Sequence, residues 1–224
     1  MKILISANTA WYLVNFRSGL MRALMEAGNE VVAAAPTDAA RSRLEAIGCR
    51  FVDLPMDRRG TSPARDATLL RRYLRLMRRE RPEAFLGFTI KPNIYGAIAA
   101  RMFGVPSVNN ISGLGTVFAR ETVLTALVRR LYRHALAAAD VVFFQNVENR
   151  DAFVAAGIVR ADQAKLLPGS GVDLAHFAVP DRPPNGRNFM FAGRLLWAKG
   201  VAEYVEAARA VRAQHPDAVF RLLG

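Results

Sequence analysis

Short apolar runs typical of β-strands alternate with longer helical patterns along most of this chain. The strand-like runs span about four to seven residues, and helical patterns of about ten or more separate them. Such alternation favours right-handed βαβ crossovers and hence a parallel sheet. Several of the runs are almost entirely apolar, as expected for strands that helices cover on both faces. The sequence therefore predicts an α/β fold with a Rossmann-like, doubly wound parallel sheet.

Glycine and proline mark the ends of most predicted elements. The predicted strands of the main domain are residues 2–7, 30–35, 49–54, 84–89, 106–110, 141–145 and 165–167. The predicted helices between them are residues 16–27, 39–47, 66–79, 94–103, 123–138 and 148–156. A strand at 189–192, a helix at 201–214 and a strand at 218–223 follow near the end of the chain.

Residues 178–188 read AVPDRPPNGRN, which indicates a linker because prolines and a glycine replace any apolar periodicity. The single βαβ unit after it is too small to cover both faces of a parallel sheet. It either packs on the edge of the first domain or begins a second Rossmann-like domain that is cut short. The linker favours truncation. The predicted organisation is a domain at 1–177, a linker at 178–188 and an incomplete second domain at 189–224.

Composition excludes several classes of protein. With 52% hydrophobic residues in 224, the chain is neither disordered nor collagen-like. One cysteine, Cys49, excludes an internal disulfide framework and a cysteine-based zinc cluster, and it fits a reducing, cytoplasmic setting. No apolar stretch reaches the roughly 18–20 residues that span a bilayer.

The chain is strongly basic, with 31 Lys and Arg against 19 Asp and Glu and a net charge of +12. Such a charge predicts attraction to nucleic acid, anionic phospholipid or phosphorylated substrates. Two predicted helices carry many of the arginines: Arg71, Arg72, Arg75, Arg78 and Arg79 on the first, and Arg129, Arg130 and Arg133 on the second.

Each of these helices has an apolar stripe opposite its arginines. In the second helix, the stripe consists of Val123, Leu124, Leu127, Val128, Leu131 and Tyr132. The arginines are either a solvated face or a patch that holds anionic lipid. Nucleic acid is the less favoured partner, because aromatic stacking residues are not interleaved with the arginines.

Ligands of open α/β sheets bind beyond the carboxyl ends of the strands, so the loops there are candidate sites. The first loop, predicted over residues 6–17, lacks the GxGxxG fingerprint of dinucleotide-binding enzymes. It offers Asn8, Asn15 and Arg17 as ligand-binding candidates, although its aromatic residues are also consistent with a simple lid over the sheet edge.

Further candidates follow the later strands. Lys91 could neutralise a phosphate or be a solvated lysine, and Asn93 is placed to cap the next helix. A glycine-containing loop then presents Ser112, Gly113 and Gly115, where a backbone can approach a ligand closely. Gly169 and Gly171, after the last strand of the main domain, suit either a hinge or a phosphate-facing turn.

The segment FAGRLLWAKG holds two cations between a predicted strand and a helix. Arg194 can grip a diphosphate in a bidentate manner, and Lys199 adds a point charge near unpaired helix N–H groups. The alternative is two exposed cations in an ordinary turn. No metal site or catalytic constellation is recognisable in the rest of the chain.

Three segments resemble family-4 glycosyltransferases, which have the two-domain GT-B fold. FAGRLLWAKGVAEYVEAA is similar to the opening of the family's C-terminal domain, and PGSGVDLAHF is similar to the turn that closes its N-terminal domain. FTIKPNIYGAIAARMFGVPSVNNISGLGTVF resembles the subgroup that builds capsule, O-antigen and oligosaccharide chains on polyprenyl-diphosphate carriers. The family's glutamate-containing donor motif is absent, and Ser112 stands near the place of a histidine that many members carry.

The resemblance implies a retaining hexosyl or N-acetylhexosaminyl transferase that moves a sugar from a nucleotide-sugar donor to a polyprenyl-diphosphate-linked saccharide. Arg194 and Lys199 would then contact the donor diphosphate without a metal or other cofactor. The loops at Asn8–Arg17, Lys91–Asn93 and Ser112–Gly115 would hold the acceptor. Such an enzyme would be peripheral on the inner face of the cytoplasmic membrane. The alternatives are a GT-B-fold sugar-nucleotide epimerase, a non-catalytic saccharide-binding module and a gene remnant.

Overall fold

A computed structural model describes residues 1–57, 62–113, 123–174, 177–178 and 186–224. Gly115 and most of the predicted linker at 178–188 lie outside the described residues. The chain divides into two compact units, Met1–Asp173 and Leu174–Gly224.

Seven parallel strands form the sheet of the first unit, in the order β3-β2-β1-β4-β5-β6-β7. They are β1 (Lys2–Ser6), β2 (Glu30–Ala35), β3 (Arg50–Asp53), β4 (Ala84–Phe88), β5 (Ser107–Ile111), β6 (Val141–Phe144) and β7 (Ala164–Leu166). The chain runs outward from β1 to β3 and then returns to β4 on the other side of β1. This doubly wound arrangement confirms the predicted Rossmann-like fold.

Helices cover both faces of this sheet. They are α1 (Ala10–Glu26), α2 (Arg41–Ala46), α3 (Pro63–Glu80), α4 (Ala97–Met102), α5 (Val123–Leu136) and α6 (Val147–Ala155). Successive residues of a strand point to opposite faces, so Leu4 packs with residues of α3 to α6 and Ile5 packs with residues of α1 and α2. Two apolar layers therefore hold the unit together, one on each side of the sheet.

The first helix begins six residues earlier than the predicted start at residue 16, because α1 starts at Ala10. Thr9 is its N-cap, and the Thr9 side chain accepts a hydrogen bond from the Tyr12 backbone N–H at 3.0 Å. The prediction of a long first loop is thus wrong. Asn15 and Arg17 lie within α1 and not in a loop.

The prediction that Asn93 caps a helix is also wrong. A π-helical turn spans Pro92–Gly96 and leads directly into α4. Asn93 is inside this turn and 1% exposed, and its side chain bonds to residues of the neighbouring strand β5. Single π-helical turns within helices are rare and frequently occur at functional sites.

The apolar stripe of α5 differs in part from the prediction. Tyr132 and Leu136 are buried, whereas Leu127 is 51% exposed. The side chains of Val123 and Leu124 lie outside the described set. Among the described side chains of this helix, the buried apolar ones lie in its second half.

Arg133, one of the arginines of α5, reaches the end of the neighbouring helix α6. Its Nη2 donates to the Ala156 carbonyl at 2.6 Å, and its Nε donates to the Gly157 carbonyl at 2.9 Å. Both carbonyls lie just past the last residue of α6, where helical carbonyls lack partners and the helix dipole is negative. Arg133 thus has a structural role within the unit.

Replacing Arg133 with Ala should lower the free energy of unfolding by about 1 kcal/mol, because two carbonyls lose a charged donor. Urea denaturation followed by circular dichroism measures this change. Arg130→Ala, at an exposed position on the same helix, removes the same charge and is the matched control. Equal losses in the two variants would contradict the capping role.

The second unit contains one βαβ motif, as predicted. Parallel strands β8 (Asn188–Ala192) and β9 (Val219–Leu223) are joined by a 3-10 turn at Trp197–Lys199 and helix α7 (Val201–Gln214). The Tyr204 hydroxyl lies 3.1 Å from the Phe189 carbonyl oxygen and 3.0 Å from that of Arg221, which ties α7 to both strands. Among the helices of the described ranges, none has the length and apolar character to cross a membrane.

Candidate functional site

A cavity of about 240 Å³ lies at the carboxyl ends of β1, β4 and β5. The strand order reverses between β1 and β4, and in open α/β sheets this switch point is where ligands bind. The cavity wall includes Asn8 after β1, Tyr12 on α1, Lys91 after β4, and Asn110 with Ser112 at the end of β5. Its position follows directly from the topology of the sheet.

Thr89 connects the two strands of the switch point. Its backbone has a φ of 68°, a left-handed conformation that is costly for a β-branched residue. In this conformation, the Thr89 hydroxyl accepts a hydrogen bond from the Asn8 backbone N–H at 3.2 Å. The bond fixes the loop after β1 against the end of β4. The strained backbone of Thr89 therefore helps to define the shape of the cavity.

Lys91 forms an ion pair with Asp66 in the first turn of α3. The Lys91 Nζ and the Asp66 Oδ1 are 2.6 Å apart, and the two side chains are 14% and 18% exposed. Burial, together with the hydrogen bond to Asp66 and its negative charge, raises the pKa of Tyr95 well above its usual range. Lys91 is therefore a largely buried, ion-paired residue and not a solvated lysine, and its contact with a phosphate stays a prediction.

Three buried asparagines form the floor behind the cavity. Asn93 Nδ2 donates to the Asn110 carbonyl at 2.8 Å, and Asn93 Oδ1 accepts from Asn109 Nδ2 at 3.0 Å. Gly87 leaves room for this pair, since a Cβ at Gly87 would lie 2.7 Å from both side chains. The network joins the π-helical turn to β5 and sets the position of Asn110.

Arg17, on α1, lies beside the cavity wall and is 4% exposed. Its Nη2 donates to the Tyr12 hydroxyl at 3.0 Å and to Asn110 Oδ1 at 3.4 Å. Its guanidinium carbon lies 4.3 Å from the centre of the Phe88 ring. Ser112 completes the group, with its hydroxyl 3.1 Å from both the Tyr12 hydroxyl and Asn110 Oδ1.

The structure brings together most of the residues predicted for this cleft. Those that line the cavity are Asn8, Lys91, Asn93, Ser112 and Gly113. Arg17 is one layer behind them. Asn15 lies elsewhere, on the exposed side of α1, where its side chain donates to the Trp11 carbonyl at 2.8 Å. Gly115 lies outside the described residues.

Gly169 and Gly171 occupy a turn that follows β7. Their φ angles are 77° and 75°, a left-handed conformation that glycine adopts without strain. The Ser170 hydroxyl between them accepts a hydrogen bond from Gln145 Nε2 at 3.3 Å. This geometry is compatible with both predicted roles, a hinge and a cleft turn.

Four residues of the site were missing from the sequence-based candidates: Tyr12, Asp66, Thr89 and Asn110. Thr89 and Asn110 directly follow or end apolar strands, so the same strand-end rule that selected Asn8 would have found them. Tyr12 was visible only as one aromatic residue of the predicted loop. Asp66 has no sequence signal, because it pairs with a lysine 25 positions away on another element.

The second unit presents Arg194 and Lys199 in the connection from β8 to α7. Arg194 follows the strand by two residues, and Lys199 ends the 3-10 turn before α7. Both are exposed, and neither has an acidic partner among the described residues. Gly200, with a φ of 81°, then turns the chain into α7. The predicted placement of the two cations between a strand and a helix is confirmed.

Comparisons with known proteins agree with this architecture. Residues 15–170 match the family description "Glycosyl transferase 4-like domain". No curated protein sequence matches the chain.

Solved structures share the fold at low sequence identity. A UDP-GlcNAc 2-epimerase from Neisseria meningitidis bound to UDP-GlcNAc has a TM-score of 0.69 at 12% identity, covering 99% of this chain and 65% of the epimerase. Anabaena HepE in complex with UDP and glucose has a TM-score of 0.68 at 17% identity, with coverages of 94% and 58%. The sucrose-phosphate synthase of Thermosynechococcus elongatus has a TM-score of 0.68 at 16% identity, with coverages of 100% and 62%. The chain thus spans about three fifths of the length of these proteins.

Proposed function

Because this chain belongs to the glycosyl transferase 4-like family, we propose that it is the acceptor-binding part of a retaining glycosyltransferase together with residues of the donor side. The enzyme would move a hexosyl or N-acetylhexosaminyl group from a nucleotide sugar to a lipid-linked saccharide. The family match over residues 15–170 is the observation that carries this proposal.

The cavity of the first unit is the proposed acceptor site. It offers several uncharged hydrogen-bonding groups, which suit the hydroxyl groups of a saccharide, and few free charges. Asn8, Thr89, Ser112 and Asn110 provide amides and hydroxyls, while Lys91 is already paired with Asp66. Gly113 leaves space beside them, since no atom of the described residues would lie within 4 Å of a Cβ there.

Arg194 and Lys199 are the proposed donor-binding residues. A leaving nucleoside diphosphate develops negative charge, and fixed cations that meet this charge lower the barrier without a metal ion. Their exposed positions after a parallel strand are suited to this role. The UDP bound to HepE and the UDP-GlcNAc bound to the Neisseria epimerase support a nucleotide sugar as the donor.

An assay of the whole protein tests this function. Incubation with a panel of radiolabelled nucleotide sugars and a polyprenyl-diphosphate-linked saccharide should give a labelled lipid-soluble product. A second candidate, sugar-nucleotide epimerisation, is suggested by the 2-epimerases among the proteins with the same fold. An epimerase would convert the nucleotide sugar without any acceptor, so conversion in the acceptor-free reaction would contradict the transferase proposal.

A lipid-linked acceptor would require the protein to work at a membrane surface, and α3 is the proposed contact. Arg71, Arg75 and Arg78 are exposed on this helix. The other two arginines of the predicted patch have partners in the fold: Arg72 donates to the Pro55 carbonyl, and Arg79 pairs with Glu80 at 2.8 Å. We therefore assign the proposed lipid contact to Arg71, Arg75 and Arg78.

Replacing Arg71, Arg75 and Arg78 together with Gln should weaken binding to anionic vesicles about 100-fold, because each basic residue at the surface contributes roughly 1 kcal/mol. Co-sedimentation with vesicles of phosphatidylglycerol and phosphatidylcholine measures the partition. Wild-type protein should be released in about 1 M salt, where the screening length is about 3 Å. The control triple variant, Arg22, Arg43 and Arg101 to Gln, removes the same charge from other exposed positions of the unit. Equal weakening in both variants would refute a role specific to α3.

A further inference from the structure

Arg17 is a buried cation without a carboxylate partner among the described residues. The residue is 4% exposed, and the groups that its guanidinium contacts are hydroxyl, amide and carbonyl oxygens and aromatic rings. Its Nε is buried and has no hydrogen-bond partner in the part of the chain that the structure describes. An arginine keeps its charge in proteins, and burying an unpaired charge is costly. Such a charge is therefore expected to serve a ligand.

Among the described charged residues around the cavity, Arg17 is the one whose charge no ion pair neutralises. Of the charged residues that line the cavity, Lys91 is paired with Asp66, and Asp57 is 2.9 Å from Arg65. Each of these pairs is neutral overall. Arg17 adds one positive charge behind the wall formed by Tyr12 and Asn110, so the described part of the cavity favours a negative group over a neutral one.

The hydrogen bonds of Arg17 form a closed ring with Tyr12, Ser112 and Asn110. Arg17 Nη2 donates to the Tyr12 hydroxyl and to Asn110 Oδ1, and Ser112 also donates to Asn110 Oδ1. Ser112 has a single hydrogen, so in the 3.1 Å contact between the two hydroxyls Tyr12 is the donor.

This ring can release two donors while the Tyr12 oxygen and Asn110 Oδ1 stay paired, and only the exposed Ser112 oxygen loses the hydrogen bond that it accepts. If the hydroxyl hydrogens of Tyr12 and Ser112 rotate toward a ligand, Arg17 still donates to the Tyr12 oxygen and to Asn110 Oδ1. Ser112 is exposed and Tyr12 is half-buried, so both hydroxyls are accessible from the cavity. The Nδ2 of Asn110 is also buried and has no hydrogen-bond partner among the described residues.

We propose that the Arg17 ring binds one oxyanion of the acceptor, a phosphate or a carboxylate group. Tyr12 and Ser112 contact the oxyanion directly, and Arg17 positions both hydroxyls and attracts the charge from behind. This proposal rests on the acceptor role proposed above for the cavity. It adds that the acceptor is recognised by its negative charge as well as by its sugar hydroxyls.

Binding of small probes without any nucleotide sugar tests the proposal independently of catalysis. The probes are glucose 1-phosphate, glucuronate and neutral glucose, titrated into the isotopically labelled full chain and followed by NMR. The Arg17 Nε–H resonance, identified by its loss in Arg17→Met, should shift with an anionic probe and not with glucose. An anionic probe should bind at least 10-fold more tightly than glucose. Tighter binding of glucose 1-phosphate would identify the oxyanion as a phosphate, and tighter binding of glucuronate would identify it as a carboxylate.

Variants complete the test. Arg17→Met should weaken binding of the anionic probe at least 10-fold, whereas Arg22→Met, at an exposed position of the same helix, should leave it unchanged. If Arg17→Met does not fold, Ser112→Ala is tested in its place, because Ser112 is exposed and its replacement should not disturb folding. Loss of the Ser112 hydroxyl should still weaken binding of the anionic probe. Equal binding of glucose and both anions would overturn the proposal. So would unchanged anion binding in whichever of these two variants folds. Loss of sugar transfer with anion binding intact would count against the proposed function alone.

Discussion

Replacing Arg194 with Ala should lower the rate of sugar transfer by the whole protein about 100-fold or more. Removing one fixed donor to a developing charge has costs of this size in other enzymes. Lys199→Ala should act in the same direction, because both cations would meet the same leaving diphosphate. Initial rates at saturating acceptor and varied donor measure the effect as a fall in kcat/KM for the nucleotide sugar.

The matched control is Arg209→Ala, which removes an exposed cation from α7 of the same unit. It should keep the wild-type rate. Circular dichroism of each variant establishes that the second unit is still folded. Wild-type rates in both Arg194→Ala and Lys199→Ala would refute the assignment of the donor diphosphate to these residues.

Replacing Gly96 with Ala should destabilise the first unit by about 2–3 kcal/mol. A Cβ at Gly96 would lie 2.9 Å and 3.1 Å from two atoms of the Phe85 ring and closer still to the tip of that ring. Phe85 is fully buried and packs edge-on against Tyr73, with ring centres 6.2 Å apart, so the ring has no free space to enter. Overpacking a filled core has costs of this order.

Gly19→Ala is the control for this prediction, because a Cβ at Gly19 on α1 would meet no atom of the described residues within 4 Å. This change should stabilise the unit by about 0.5–1 kcal/mol, since alanine is the better helix former. Urea denaturation of both variants gives the two free energies. Similar stabilities for Gly96→Ala and Gly19→Ala would show that Phe85 can move aside.

The strand-end rule explains why much of the site could be predicted from the sequence. Apolar runs place the ends of β1, β4 and β5, and parallel strands bring their carboxyl ends to one edge. Asn8, Lys91 and Ser112 therefore lie together in the structure, although they are far apart in the sequence. The rule needs no knowledge of individual contacts.

The start of α1 could not be predicted in the same way. Trp11, Tyr12 and Phe16 are not strong helix formers, so local propensity gives little indication of a helix there. The helix is supported by packing, with the Tyr12 ring centre 5.1 Å from that of Phe16 and 6.4 Å from that of Phe88 on the sheet. Tertiary contacts thus decide that α1 begins at Ala10 and that Arg17, which lies inside the helix predicted at 16–27, is buried beside the cavity.

The ion pair of Lys91 was equally inaccessible from the sequence. The lysine follows β4, whereas its partner Asp66 lies in α3, and the pairing depends on how α3 packs beside the π-helical turn. Sequence spacing carries no information about such a contact. A basic residue at a strand end therefore predicts that its side chain lies near the cavity, but it does not predict the net charge of the cavity wall.

The ion pair between Lys91 and Asp66 also has a mechanical consequence. Asp66 belongs to the same helix as Arg71, Arg75 and Arg78, and it pairs with Lys91 of the cavity wall. Helix α3 therefore connects the cavity wall to the proposed lipid contact. Along an α-helix each residue rises 1.5 Å, which places residue 66 about 18 Å from residue 78 along the axis. A bilayer that binds these three arginines would thereby hold the cavity wall at a fixed distance from the bound headgroups, and an acceptor saccharide would have to span that distance.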